Sequence, residues 1–362
     1  MAPTPDRSLR HFPLIPEPVL RRHRVFEPSD TRFRACARLL QALWRERCRL
    51  SIGTHASPDG TRRKLGSRLS PAAGRSGANF LTPAVAALTR REVAYREVGA
   101  FINEERLWTN LLSSQPLTFN LFGPLRLDLA LASRALRLLC PDLQRASVRA
   151  VWFEHSPGRG ASRYTGDHTA FDVLLGYDTP QGRTGFVAVE VKYAEACHEP
   201  APELKARYDQ IAPASGLFVE PLAPALRRNP CQQFFRQHCL AHTMHQQRLY
   251  DEGRLMVIAP ALNHLVQTAV STYRAHLAEP RPEQVGFVGL TLEAVITAIG
   301  RAGAPDYARA LYFRYLDWWA VDRALADALR IPAEPSSHLE SGSDQAQSPL
   351  LPSMLIAPPR AA

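Results

Sequence analysis

The sequence predicts an α/β protein, with a helical, basic N-terminal region ahead of a β-sheet flanked by helices. Three observations carry this reading. Apolar residues recur at helical spacing towards both ends of the chain, whereas the middle holds β-branched and aromatic runs of strand length. Of 44 Lys+Arg only three are lysine, namely Lys64, Lys192 and Lys205. The formal net charge of +10 lies entirely in residues 1–75, which carry 16 basic against 6 acidic residues, while the remainder carries 28 of each.

The elements follow in order. Residues 1–30 are rich in Arg and Pro and are expected to be poorly ordered. Residues 31–50 space Phe33, Leu39, Leu40, Leu43, Trp44 and Leu50 for a helix that Thr31 can cap. Residues 53–79, rich in Gly, Ser, Pro and Arg, read as an exposed basic loop. Helical spacing returns over 83–112 and again over 124–139, where Pro141 stops it. Strands are expected over Val148–His155, Phe171–Tyr177 and Gly185–Tyr193, the last two joined by the turn sequence DTPQGR into an antiparallel hairpin. Helices at 203–212 and 231–250 follow, then strands at Leu255–Ala259 and Val285–Leu290, a helix from Thr291, and a last helix over 306–329. Residues 333–362 read as a disordered tail. This divides the chain into a basic N-terminal region (1–80), a main domain (81–332) and a tail (333–362).

No apolar run approaches the ~18 residues of a membrane helix, the first residues lack an apolar signal core, and the six cysteines form no dense framework. A cytoplasmic location is expected. No P-loop, dinucleotide-binding or G-x-S-x-G motif is present, so those three enzyme classes lack support.

Chemistry concentrates in the hairpin. Side chains alternate along a strand, so Val187, Val189 and Val191 form one apolar row while Glu190 and Lys192 share the other face. Asp172 takes the corresponding face of its strand, opposite Phe171 and Val173. Two carboxylates and an ammonium converge there, a set that suits a hard divalent cation beside a phosphate. The plainer reading is a cross-strand surface ion pair. Lysine is so rare here that one retained at this place is a candidate for chemistry arginine cannot do.

This Asp–x17–Glu–Val–Lys arrangement resembles the PD-(D/E)XK nuclease superfamily. The segments SSQPLTFNLFGPL (113–125), FEHSPGR (153–159), YTGDHTAFDVLL (164–175), GFVAVEVKYAE (185–195), NPCQQFFRQHCLA (229–241) and MVIAPALN (256–263) together resemble a family of bacterial PD-(D/E)XK nuclease-like proteins over about residues 90–300. The resemblance implies a restriction-endonuclease-like core, a mixed β-sheet flanked by helices, and Mg²⁺-dependent (or Mn²⁺-dependent) phosphodiester hydrolysis, with DNA the expected substrate. It implies Asp172 and Glu190 as metal ligands, the Val191 carbonyl as a further one, Glu154 as an additional upstream acid, and Lys192 as the water-positioning group. Gln233, Arg236 and His238 match a following helix expected to line the site and touch phosphate. Phe171 stands where the family pattern often has proline.

Other readings stay beside this one. Glu154 is equally suited to a salt bridge with Arg159 or Arg163, and Asp167 to a turn that accepts backbone bonds. Cys231, His238, Cys239, His242 and His245 include the i, i+4 spacing of a zinc site but lack the paired cysteines of a finger. The basic first 75 residues suit a phosphate-contacting arm, given that their charge is concentrated. The alternative function is a nucleic-acid-binding protein on the same fold that does not cut, or cuts only with a partner. Oligomeric state is left open.

Overall fold

The computed structural model describes residues 12–56, 60–199 and 202–329; residues 1–11 and the tail expected from 333 lie outside them. The chain opens with helices α1 (Glu17–Arg22) and α2 (Arg32–Arg47). Thr31 caps α2 as expected, its hydroxyl oxygen accepting the Arg34 N–H at 3.2 Å. Residues 53–79 are not the expected loop. They form an antiparallel hairpin of β1 (Ile52–Ala56) and β2 (Arg62–Leu69), followed by helix α3 (Pro71–Ser76). Gly66 belongs there because a side chain has no room: a Cβ would stand 2.2 Å from the His23 carbonyl oxygen. Likewise residues 12–30 are ordered, and Phe12, Ile15, Val19, Leu20 and Val25 are buried.

The helical pattern over 83–112 resolves into α4 (Pro83–Ala94) and α5 (Glu104–Thr109), separated by a loop at 95–103. Next come α6 (Ser114–Leu127) and α7 (Leu129–Leu139). Asp128 ends the first and caps the second, accepting the Leu131 N–H at 2.8 Å. The strands β3 (Ser147–His155), β4 (Phe171–Asp178) and β5 (Thr184–Val191) lead to helices α8 (Arg207–Ser215) and α9 (Gln232–Gln246). Strand β6 (Glu252–Ala259), helix α10 (His264–Ala275), strand β7 (Gly286–Thr291) and helix α11 (Leu292–Arg301) follow. The pattern at the end is broken between α12 (Pro305–Tyr315) and α13 (Trp318–Leu329).

The five strands β3 to β7 form one sheet in sequence order. The β3–β4 and β4–β5 pairs are antiparallel, whereas β5–β6 and β6–β7 are parallel, which makes the sheet mixed. Parallel strands require cover on both faces. Val173, Leu175, Val187, Val189, Val191 and Ile258 enter a cluster with α2, α6, α7, α11 and α12. Leu174, Ala188 and Leu255 pack instead against Leu240 and Met244 of α9. The first cluster also holds Phe33, Leu39 and Leu40 of α2, so residues 12–80 share their core with the sheet.

A buried polar chain joins distant parts of the sequence inside that cluster. Gln41 donates to the Tyr193 hydroxyl at 3.0 Å and to the Arg314 carbonyl at 2.7 Å. Asn120 donates to the Tyr315 hydroxyl at 2.9 Å. The fully buried Arg314 guanidinium lies 4.2 Å from the Trp44 ring centroid and donates to both the carbonyl and the side-chain oxygen of Asn79. Removing an acceptor from a buried charge is expensive. Asn79→Ala is therefore expected to lower the unfolding free energy by about 3 kcal/mol, read from the urea midpoint at constant slope; a loss below about 1 kcal/mol would show that Arg314 finds other partners.

Candidate active site

The register of the sheet assembles the acidic groups. Val173 pairs with Val189 across β4 and β5, and the next rung sets Asp172 opposite Glu190. Across β3, Phe153 pairs with Val173 and His155 with Phe171, so Glu154 stands beside Asp172. Glu154, Asp172 and Glu190 thus form a row over three strands, where directly opposed residues have Cβ atoms about 5 Å apart. Such a row of like charges is unfavourable by itself. Glu154 adds backbone strain, with φ at +48° in the left-handed region that a non-glycine residue seldom adopts.

Each acid is held differently. Asp172 Oδ2 accepts the Val191 N–H at 2.8 Å, and among the described residues no group donates to Oδ1. Burial, and then the Glu190 carboxylate, hold the Asp172 carboxyl well above the usual carboxylate range. Glu154 Oε1 accepts the Phe101 N–H at 3.3 Å, and burial pushes its carboxyl up to about 7. Arg159, a weighed partner for Glu154, donates to its carbonyl oxygen at 2.9 Å rather than to its carboxylate.

Glu190 is only 3 % exposed, and both its oxygens are occupied. Oε1 accepts from Gln233 Nε2 at 2.6 Å and from Lys192 Nζ at 2.8 Å. Oε2 accepts from Gln237 Nε2 at 2.5 Å. Lys192 Nζ also donates to Gln233 Oε1 at 2.6 Å. Burial by itself would strip the proton from Lys192, but the adjoining Glu190 carboxylate outweighs it and holds the ammonium above the usual lysine range. Gln233 thus binds the acid with its amide nitrogen and the lysine with its oxygen.

Gln237 was not among the residues expected. Its signal is the i, i+4 spacing from Gln233, which puts both amides on one face of α9. Two of the expected residues on α9 are engaged elsewhere. His238 is turned about 140° from Gln233, away from the carboxylates. Its Nε2 donates to the Val285 carbonyl at 2.9 Å, so Nδ1 accepts from the Tyr273 hydroxyl at 2.9 Å. Arg236 is likewise committed to protein rather than phosphate. It donates to Asp167 at 2.7 Å, Thr169 at 3.1 Å and the Pro202 carbonyl at 3.1 Å. Asp167 is the turn acceptor it was read as, also taking the Thr169 N–H at 3.0 Å and hydroxyls from Thr165 and Tyr208. That cluster pins the segment before β4 onto α9.

Beyond Lys192 the chain runs past a cavity of about 430 Å³ lined by Arg34, Arg38, His55, Arg68, Glu195 and Asn263, among others. Arg34 donates to the Ala194 carbonyl at 3.2 Å, which docks the N-terminal segment beside the lysine strand. Asn263 donates to the carbonyls of Tyr193 and Glu195, each at 2.9 Å.

Among the described residues no three His, Cys, Asp or Glu side chains form a ready cage for an ion. The zinc reading of Cys231, His238, Cys239, His242 and His245 accordingly finds no assembled site. Mg²⁺ seldom needs a full protein cage. One or two carboxylates with waters and substrate phosphates suffice, and the hard oxygens of Asp172 and Glu190 are of the right type. Opposed carboxylates on the adjacent strands β4 and β5, with a lysine two residues further along β5, are the pattern on which the resemblance to PD-(D/E)XK nucleases rests. A profile of the PD-(D/E)XK nuclease superfamily matches residues 28–317, and the chain belongs to that superfamily. The mixed sheet with helices on both faces is its restriction-endonuclease-like fold. Nucleases of this superfamily generally use divalent metals, and membership implies a nucleic-acid substrate. Comparison with curated proteins and with solved structures gives no match. No helix among the described residues is long and apolar enough to cross a membrane.

Two predictions follow from the site's energetics. Lys192→Met should destabilise the fold by about 3–5 kcal/mol, since it strands the buried Glu190 charge, and Glu190→Gln in the same chain should recover most of that loss. Additive losses in chemical denaturation would show that the pair does not interact. The second concerns acid. Burial lowers His238 to about 4 from an ordinary 6.5, so the stability from its neutral ring is full above pH 6.5 and fades as pH falls through 4. The stability gap between wild type and His238→Asn should therefore narrow by on the order of 3 kcal/mol over that interval; a constant gap would contradict it.

Proposed function

We propose that the protein is a Mg²⁺-dependent nuclease that hydrolyses phosphodiester bonds of DNA, with Mn²⁺ able to replace Mg²⁺. The observation that carries this is the rung that sets Asp172 opposite Glu190 with Lys192 bonded to Glu190, within a chain of a nuclease superfamily. Asp172 and Glu190 would hold the ion, joined by the Val191 carbonyl and, from the adjoining strand, by Glu154. A bound divalent ion polarises the scissile phosphate and neutralises charge that develops on it. Lys192 donates hydrogen bonds from its ammonium and orients the attacking water. Gln233 and Gln237 keep Glu190 and Lys192 aligned.

A second reading has an observation of its own. Glu190 already has hydrogen bonds on both oxygens, an arrangement that also suits a nucleic-acid-binding protein that does not cut, or that cuts only when a partner loosens α9. DNA affinity in calorimetry with no uptake of Mg²⁺ or Mn²⁺ would favour it.

The purified chain incubated with single-stranded DNA, duplex DNA and RNA should give cleavage products with Mg²⁺ or Mn²⁺ and none with EDTA. Asp172→Ala, Glu190→Ala and Lys192→Ala should each reduce the rate at least about a hundredfold, with circular dichroism confirming the fold. No product from any substrate with either metal overturns the nuclease reading.

A further inference from the structure

The loop at 95–103 borders the carboxylate row and takes no part in the chemistry above. Its inner side is tied down. The Phe101 N–H donates to Glu154 at 3.3 Å, and the Phe101 carbonyl accepts from Gln115 Nε2 at 3.2 Å. Gly99, at φ +83°, presses so close to His168 and Arg159 that a Cβ would stand 2.9 Å from the imidazole. Arg96 bonds Glu104 at 2.9 Å, and Glu97 lies 3.8 Å from Arg159. The outer side is apolar. Tyr95, Val98 and Phe101 are 82 %, 99 % and 70 % exposed. Three exposed large apolar side chains within seven positions, beside the carboxylate row, make this loop a candidate contact surface.

We propose that this loop is a stacking platform for an unpaired nucleobase of the substrate strand, with Phe101 as the ring that meets the base. The proposal rests on the nuclease reading and adds the form of nucleic acid preferred. Phe101 is bonded to the acid next to Asp172, so a strand with its phosphate at Asp172 and Glu190 carries a neighbouring base over this ring. Within a duplex both faces of a base are already stacked, whereas an unpaired base offers a free face, and aromatic platforms beside a positive path are how proteins hold single strands. The cavity past Lys192 mixes Arg34, Arg38 and Arg68 with Glu27, Asp30 and Glu195, and Arg34 is paired with Asp30 at 3.1 Å. The unpaired cations on β2 are Arg62 and Lys64, exposed with no described acid in ion-pair range. A protein seated on Phe101 would cover the carboxylates, which disfavours that occupant.

The test is fluorescence anisotropy in EDTA, where cutting is absent, with a labelled single strand and a blunt duplex of equal length. Phe101→Ala should weaken single-strand binding about tenfold, equivalent to ~1.4 kcal/mol, and Phe101→Trp should restore it. Duplex affinity should change less than about twofold. The single-strand loss should be the same at about 50 and about 200 mM salt, because stacking releases no counterions. Wild-type affinity in Phe101→Ala overturns the proposal and points to a protein occupant. An equal loss on duplex, or no restoration by Trp, also overturns it. A wild-type chain that binds no nucleic acid overturns both this proposal and the reading beneath it.

Discussion

Glu190 is almost entirely withdrawn from solvent, and that one buried carboxylate dictates the architecture around it. A charge so placed must be met by donors from the protein. Lys192 supplies one from two residues along the same strand, and Gln233 and Gln237 supply the others from one face of α9. These bonds fix the rotation of α9 against the sheet, and the Arg236–Asp167 pair fixes its end to the segment entering β4. Asp172 is held by a single backbone N–H. The result is an asymmetric pair, with one acid locked and the other available.

Much of the site was legible because strand periodicity is a local property. Alternation along 171–177 and 185–193 sufficed to put Asp172, Glu190 and Lys192 on one face, and the turn between them dictated antiparallel pairing. The phase of α9 was not legible, since the spacing of Gln233, Arg236 and His238 says which residues share a face but not which face meets the sheet. Packing of Phe234, Phe235 and Cys239 with α8 and α10 settles that. The β1–β2 hairpin is not legible in the sequence because arginines and a register shift after Ile52 break its period of two.

The excess of arginine before position 75 reads as one basic surface, but part of it is internal. Arg38 grips Asp30 and Ser67, and Arg45 donates to the carbonyls of Gly66 and Leu50. These guanidiniums join α2 to the hairpin, as Arg314 joins α12 to the residues around Asn79. Arginine suits such work because its planar fork satisfies several acceptors at once. Composition reports how many cations a segment has, and only the fold shows which face solvent.

The contact of Gln41 with Tyr193 and Arg314 has a bearing on how the molecule is made. Gln41 and the Arg314 carbonyl are 273 positions apart, and Tyr193 follows Lys192 directly. Closures across so long a span are slow and come late. A nascent chain therefore carries its lysine strand without this contact until residue 314 has been made. A chain that stops before residue 314 leaves Gln41 and Tyr193 without their partners at 314 and 315, so the packing behind the lysine strand is completed from the far side of the sequence.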